Sequence, residues 1–283
     1  MKKKLKNDTG EKKNFDINWK IRKEADYLHW IKKNPSNQIQ LAFRNHWTTF
    51  SKIIKKYRLT NLKNKILEVG CGRGSLSAYF SDAGYECTLN DSSKTAIQIA
   101  KKNFSKFNLA ANFNVGDCRK LSFKNNSFDI VFSIGLLEHF RNPKDVINEQ
   151  LRVLKPGGII ISYIVPKFKS KVQEKYNFFC DILKHEKAKS QSTRKQSVFR
   201  SKLGINAYKR IYKELNLKKI FSSGIYSLPM ISHSCDFPFT LMSKDSEKVL
   251  VKYFLKILKS YDKKNPWLCR EKYGQAILIT GQK

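Results

Sequence analysis

From residue 61 onward the apolar positions switch back and forth between two periods. Short apolar runs at 64–69, 85–89, 111–115, 128–133 and 159–165 have the length and content of buried strands. Between them apolar residues recur at helical spacing. In 94–107, Ala96, Ile97, Ala100 and Phe104 make one packing face, and Ser93 stands where a cap is needed. Pro143 opens another helix at the position where its missing N–H costs nothing, with Val146, Ile147 and Leu151 on the buried side. Strands alternating with helices predict a parallel α/β sheet whose ligands lie at the carboxyl ends of the strands. Further on, 206–215 reads as a helix and 217–226 as a sixth strand. Residues 273–280, carrying Ala276-Ile277-Leu278-Ile279, form a seventh and last strand.

The remaining segments do not follow that alternation. Residues 1–15 are lysine-rich and read as a mobile basic tail. Ile17, Ile21, Ala25, Leu28 and Ile31 predict a helix over 16–33. Asn34-Pro35-Ser36-Asn37 ends it, and Ser36 is placed to cap a second helix running through Phe43, Phe50 and Ile54 to Tyr57. Trp19, Trp30, His46 and Trp47 are expected to seat these helices on the sheet rather than to line a site. The expected organisation is a tail over 1–15, a helical cap over 16–60 and a sheet domain over 61–283. That domain carries inserts at 166–204 and 227–270. The first insert sets Phe168, Tyr176, Phe178 and Phe179 among lysines. The second leads into a helix over 246–261.

Composition changes this picture in one respect. Hydrophobic content of 41% and aromatic content of 12% are those of a globular chain of 283 residues, long enough for a full core. The formal net charge of +33, however, favours anionic partners: a lipid surface, nucleic acid or an acidic substrate. The lysines are spread along the chain, which fits equally well with an AT-rich coding sequence. No run is apolar and long enough to span a bilayer, and the charged start is followed by no apolar leader segment. The six cysteines lack metal-site spacing and read as reduced thiols. The expected location is cytoplasmic, with peripheral contact at the inner membrane face left open.

The candidate chemistry lies after the strands. Glu68 ends the first strand, and Gly70, Cys71, Gly72, Arg73 and Gly74 follow as a glycine turn into a helix. Such a turn admits positive φ and brings bare backbone to a ligand. Asp91 stands after the second strand and Asp117-Cys118 after the third. Ile134-Gly135 with Glu138-His139 follow the fourth, and Pro156-Gly157-Gly158 turns into the fifth. A lone glycine turn also suits a dinucleotide. The ordered series resembles the class I S-adenosylmethionine-dependent methyltransferases, nearest to the ubiquinone- and menaquinone-biosynthesis branch, closely over 65–165.

That resemblance implies a Rossmann-like sheet of seven strands, the last antiparallel between the fifth and sixth, with S-adenosylmethionine as cofactor. It implies that Gly70, Cys71, Gly72 and Gly74 approach the donor's methionine and ribose, and that Glu68 orients the ammonium. Asp91 would take the ribose hydroxyls, with Ser92 flanking the adenine. Asp117 and the Cys118 amide would read the adenine edge, and Ile134 and Gly135 would form a wall. His139 is the candidate base for a hydroxyl acceptor, with Glu138 beside it. Some quinone O-methyltransferases hold a metal here through a further Glu three positions earlier. That position is Gly135 in this chain, so no metal is expected. The expected partner is a small-molecule, lipid-linked or sugar-like acceptor, methylated at oxygen. An RNA acceptor is the rival, although Ser133-Ile134-Gly135-Leu136 lacks the amino-methylation motif. A non-catalytic binder that keeps the cofactor pocket is the other.

Overall fold

The computed structural model describes residues 15–20, 29–61, 63–190, 198–232, 241–261 and 264–283, and over 184–190 the helical backbone alone. The expected tail, residues 1–14 of it, lies outside the described residues, as does Phe237-Pro238-Phe239.

Five strands form the parallel part of one sheet: β1 (Lys65–Val69), β2 (Glu86–Asp91), β3 (Asn112–Val115), β4 (Phe128–Ile134) and β5 (Leu154–Ile164). The others are β6 (Lys218–Ile225), β7 (Leu268–Cys269) and β8 (Ala276–Gln282), and the order is β3-β2-β1-β4-β5-β8-β6-β7. β8 runs antiparallel between β5 and β6, as expected. Among the described residues the count is eight rather than seven, because residues 268–269 inside the second insert pair with Gly224 and Ile225. Two residues are too few to leave a period-2 signature. β5 starts five residues before the expected position. The Pro-Gly-Gly turn is drawn into the ladder by the Gly157 N–H donating to the Lys283 carbonyl and the Lys283 N–H donating to Gly158.

Adjacent strand residues face opposite sides. Ile66, Phe132, Ile161 and Leu278 pack under α2 (Gln38–Lys56), α3 (Ser75–Asp82), α4 (Lys94–Lys106) and α8 (Lys244–Ser260). Leu67, Val131, Ile160 and Ile279 pack under α5 (Lys144–Val153) and α7 (Ile205–Glu214). α6 (Lys171–Ser190) fills much of the first insert. Residues 15–20 are the described part of α1.

Two N-terminal expectations change. The first helix does not reach residue 33, since residues 29–37 are irregular. There the Arg44 guanidinium donates to the carbonyls of Ile31, Lys32 and Lys33, tying the irregular segment to α2. The cap of α2 is Asn37, whose side chain accepts from the Gln40 N–H. Ser36 instead binds the Gln40 side chain through its own N–H and hydroxyl.

Candidate active site

The strand order reverses at β1, with β2 on one side and β4 on the other, and the site residues gather at that reversal. Gly70, Gly72 and Gly74 all have positive φ, at 72°, 52° and 71°. A side chain would be strained at each, so the turn presents backbone instead. It is tied to β2 by Gly70 and Cys71, whose N–H groups both donate to the Asn90 carbonyl. Leu136 packs against Gly70 from the β4 side.

Asp91 is the hub of this arrangement. Its Oδ2 accepts from the Gly72 N–H at 2.9 Å and its Oδ1 from the Ser93 N–H at 2.9 Å. Burial raises its pKa, while the Ser93, Gly72 and Ser92 backbone groups favour the carboxylate. A carboxylate has about four acceptor positions. Backbone N–H groups take part of that capacity, and what remains can accept from a ligand hydroxyl. The Asp91 carbonyl also accepts from the Gly116 N–H, which sets the start of the Asp117-Cys118 turn beside it.

The other expected residues fall as follows. Glu68 is buried and faces α3, where Oε2 accepts from the Ser77 hydroxyl at 2.5 Å, and burial pushes its carboxyl up to about 8. Asp117 is engaged by Arg119 through both carboxylate oxygens. Burial pushes the Cys118 thiol up to about 12. Ile134 pairs with Tyr163 across β4 and β5, and the Gly135 N–H donates to the Tyr163 carbonyl. The short helix 137–139 then brings Glu138 inward. Its Oε2 has no hydrogen-bond partner among the described residues, and burial raises its carboxyl to about 7. His139 Nδ1 lies 2.7 Å from the Phe199 carbonyl. A carbonyl only accepts, so Nδ1 carries the proton, and in the neutral ring Nε2 keeps its lone pair.

Several site features left little trace in the sequence. Trp19 lies on Gly72, Asp16 accepts from the Ser93 hydroxyl, and the Phe15 ring meets the His139 ring edge at 4.8 Å. α1 therefore sits on the glycine turn and on His139 together. His46 is enclosed by the rings of Tyr163, Phe43, Trp267 and Tyr226, 4.6–6.0 Å from its own. Its Nδ1 accepts from Trp267, and burial lowers its pKa to about 3, so it is neutral. Trp30, in the irregular segment, packs against Phe107 and also lines a cavity with Arg73, Gly74 and Ser75, while Trp47 packs against Phe80. Tyr226 has φ 67°, strained for a bulky side chain. His233 and Cys235, two residues of metal-ligand type that make no site by themselves, lie outside the described residues. No group of three or more potential metal ligands occurs among the described residues.

Residues 67–162 match a family described as "Methyltransferase domain". Over 138 residues the chain is 30% identical to the uncharacterized methyltransferase YodH of Bacillus subtilis (strain 168), covering 46% of this chain and 59% of that protein. It is 35% identical over 111 residues to the ubiquinone biosynthesis O-methyltransferase of Coxiella burnetii, covering 38% and 47%. The chain thus spans about half the length of the curated relatives it matches. The crystal structure of the [4+2]-cyclase SpnF is 18% identical, with a TM-score of 0.55 over 96% of this chain and 94% of that one. That likeness shows the fold alone. Over residues 67–162 the chain is thus similar to a methyltransferase domain, of the class I S-adenosylmethionine-dependent kind. Within that class it resembles the quinone-biosynthesis branch. The glycine cradle and the Asp91 carboxylate at the end of β2 fit this cofactor.

Proposed function

We propose that the protein transfers the methyl group of S-adenosylmethionine to oxygen on a small apolar acceptor of the quinone-precursor or lipid-linked kind. The donor's sulfonium supplies the leaving group, so the chain's own task is to hold, align and exclude water. Gly70, Gly72 and Gly74 hold the donor by backbone. Asp91 takes its ribose hydroxyls, Glu68 its ammonium, and the Asp117-Cys118 turn its adenine edge, where Arg119 shares the Asp117 carboxylate. Residues 16–60 act as a cap over the 61–283 domain, supported by Trp19 on Gly72 and Trp47 on Phe80. His46, neutral and ringed by aromatics, borders the acceptor.

One observation carries the oxygen acceptor. The His139 Nδ1–H···Phe199 carbonyl bond fixes the tautomer whose Nε2 can take a hydroxyl proton, beside Gly135 at the carboxyl end of β4. The reading includes a peripheral position at the inner membrane face, supported by the exposed aromatic residues of α6. No helix among the described residues is long and apolar enough to cross a membrane. Incubation with isotopically labelled donor and cell extract, followed by mass spectrometry of the labelled product, tests this. A labelled small molecule bearing a new O-methyl group is the expected result. Label in RNA, or no transfer by a protein that still binds donor, overturns it.

A further inference from the structure

α6 turns one face inward and leaves a large apolar face outside. Inward, the Gln173 side chain exchanges hydrogen bonds with the Met230 N–H (2.8 Å) and carbonyl (3.2 Å), and the Cys180 thiol donates to the same carbonyl. The helix is therefore seated, and what it exposes is fixed by that seat. Outward, Phe178 is 72% exposed, Phe179 56% and Ile182 46%. Phe178 and Ile182 are four residues apart, and Lys171 and Lys175 precede them by helical spacing on the same side. Lys169 and Phe168 are exposed just before the helix. Residues 167–190 contain seven lysines against three acids. Glu174, on the same face, is paired with Lys171 at 3.0 Å.

We propose that this face of α6 docks the protein on an anionic lipid surface. Large apolar side chains exposed together on one helix face, rather than singly, point to an interaction site. Aromatic rings inserted at the headgroup boundary, with lysine stems lying along the apolar surface and their charges among anionic headgroups, suit an in-plane amphipathic helix. A single-stranded nucleic acid fits less well. The Phe178 and Phe179 rings meet edge to face at 73°, so they form a wedge rather than parallel platforms for successive bases. The docking face also has a place in the proposed reaction, a link that rests on the reading of an apolar acceptor. The 230–232 segment gripped by Gln173 and Cys180 is bound in turn by Gln38, through the Ile231 and Ser232 N–H groups. Gln38 opens α2, the helix that supplies His46. Hydrogen bonds thus tie the docking face to the helix that carries His46, the residue proposed to border the acceptor.

Sedimentation with vesicles tests this, using phosphatidylcholine alone and phosphatidylcholine mixed equally with phosphatidylglycerol. The protein is expected to pellet with the mixed vesicles only and to be released by salt. Phe178→Ser with Phe179→Ser should abolish pelleting. Lys171→Gln with Lys175→Gln should lower the partition coefficient about thirtyfold. Both variants are surface changes and should keep the wild-type melting temperature and calorimetric binding of S-adenosylhomocysteine. Equal pelleting with both vesicles, no pelleting, or unchanged pelleting of the phenylalanine variant overturns the proposal. So does tight binding of RNA that displaces the vesicles. Failure of donor binding in the wild type would instead overturn the methyl-transfer reading and leave vesicle binding as a separate result.

Discussion

The Trp19 indole lies against Gly72: a Cβ added at that glycine would come within 2.6 Å of the ring. Gly72 also has φ 52°, so two separate penalties meet at one residue. Gly72→Ala is expected to lose about 1–2 kcal/mol from the backbone alone, with a further loss from the clash. For a chain of this size that is a fall of several degrees in melting temperature. Adding Trp19→Ala should recover the steric part and leave the backbone part. Full recovery in a thermal scan would show that φ costs nothing there.

Asp91 joins the glycine turn to the start of α4 through the Gly72 and Ser93 N–H groups. Asp91→Ala is expected to weaken donor binding by about 1.5–3 kcal/mol, the worth of hydrogen bonds to a charged acceptor. It should also lower stability, since two buried N–H groups lose their partner. Calorimetry on the folded fraction separates the two effects. Unchanged donor affinity would place the ribose elsewhere.

Glu68 has a folded-state pKa of about 8 against 4.5 in the free residue. The native state thus holds a proton that the unfolded chain releases between those values. The stability this contributes is full below about pH 4.5 and is lost as pH rises through 8, with a ceiling of roughly 5 kcal/mol. Glu68→Gln should flatten stability over that range in denaturant titrations. If the donor ammonium meets Glu68, donor binding near pH 7 should release a proton. Calorimetry in buffers of different ionisation enthalpy reads that release, and its absence would separate Glu68 from the ammonium.

His139→Ala should lower turnover by about 10²–10⁴-fold while donor binding stays near wild type. The acid limb of the rate profile should follow an imidazole and vanish in the variant. If the variant instead loses stability and its folded fraction turns over normally, the bond to Phe199 is structural and orientation alone drives transfer.

Much of this was legible in the sequence because it is local. β1 to β5, the glycine turn and Asp91 at the end of β2 follow from apolar period and from glycine's lack of a Cβ. What escaped was set by distant partners. Ser36 and Asn37 are equally good caps, and the chain's path chose Asn37. The helix predicted through residue 33 is absent over 29–33, where the irregular chain is held by Arg44 from α2, a partner 11 to 13 residues away. Asn90, just before the end of β2, holds both the glycine turn and Gly116. The left-handed Tyr226 is held by bonds to Trp267 and Gln275, 41 and 49 residues away. No local pattern announces such contacts, nor the meeting of Trp19 with Gly72.

The place of β8 bears on how the chain assembles. Its residues come more than a hundred positions after β5, yet among the described residues β8 is the strand that joins β5 to β6. During synthesis β1 to β5 can pair as they emerge, each strand close in sequence to a neighbour already in place. β6 and β7 have no edge to join until residues 276–282 leave the ribosome. The donor half of the sheet can therefore form first and wait with the edge of β5 open, a stretch of Ile159-Ile160-Ile161 that invites pairing with another chain. Slow translation between residues 165 and 276 should increase aggregation, and a chaperone that covers that edge should relieve it.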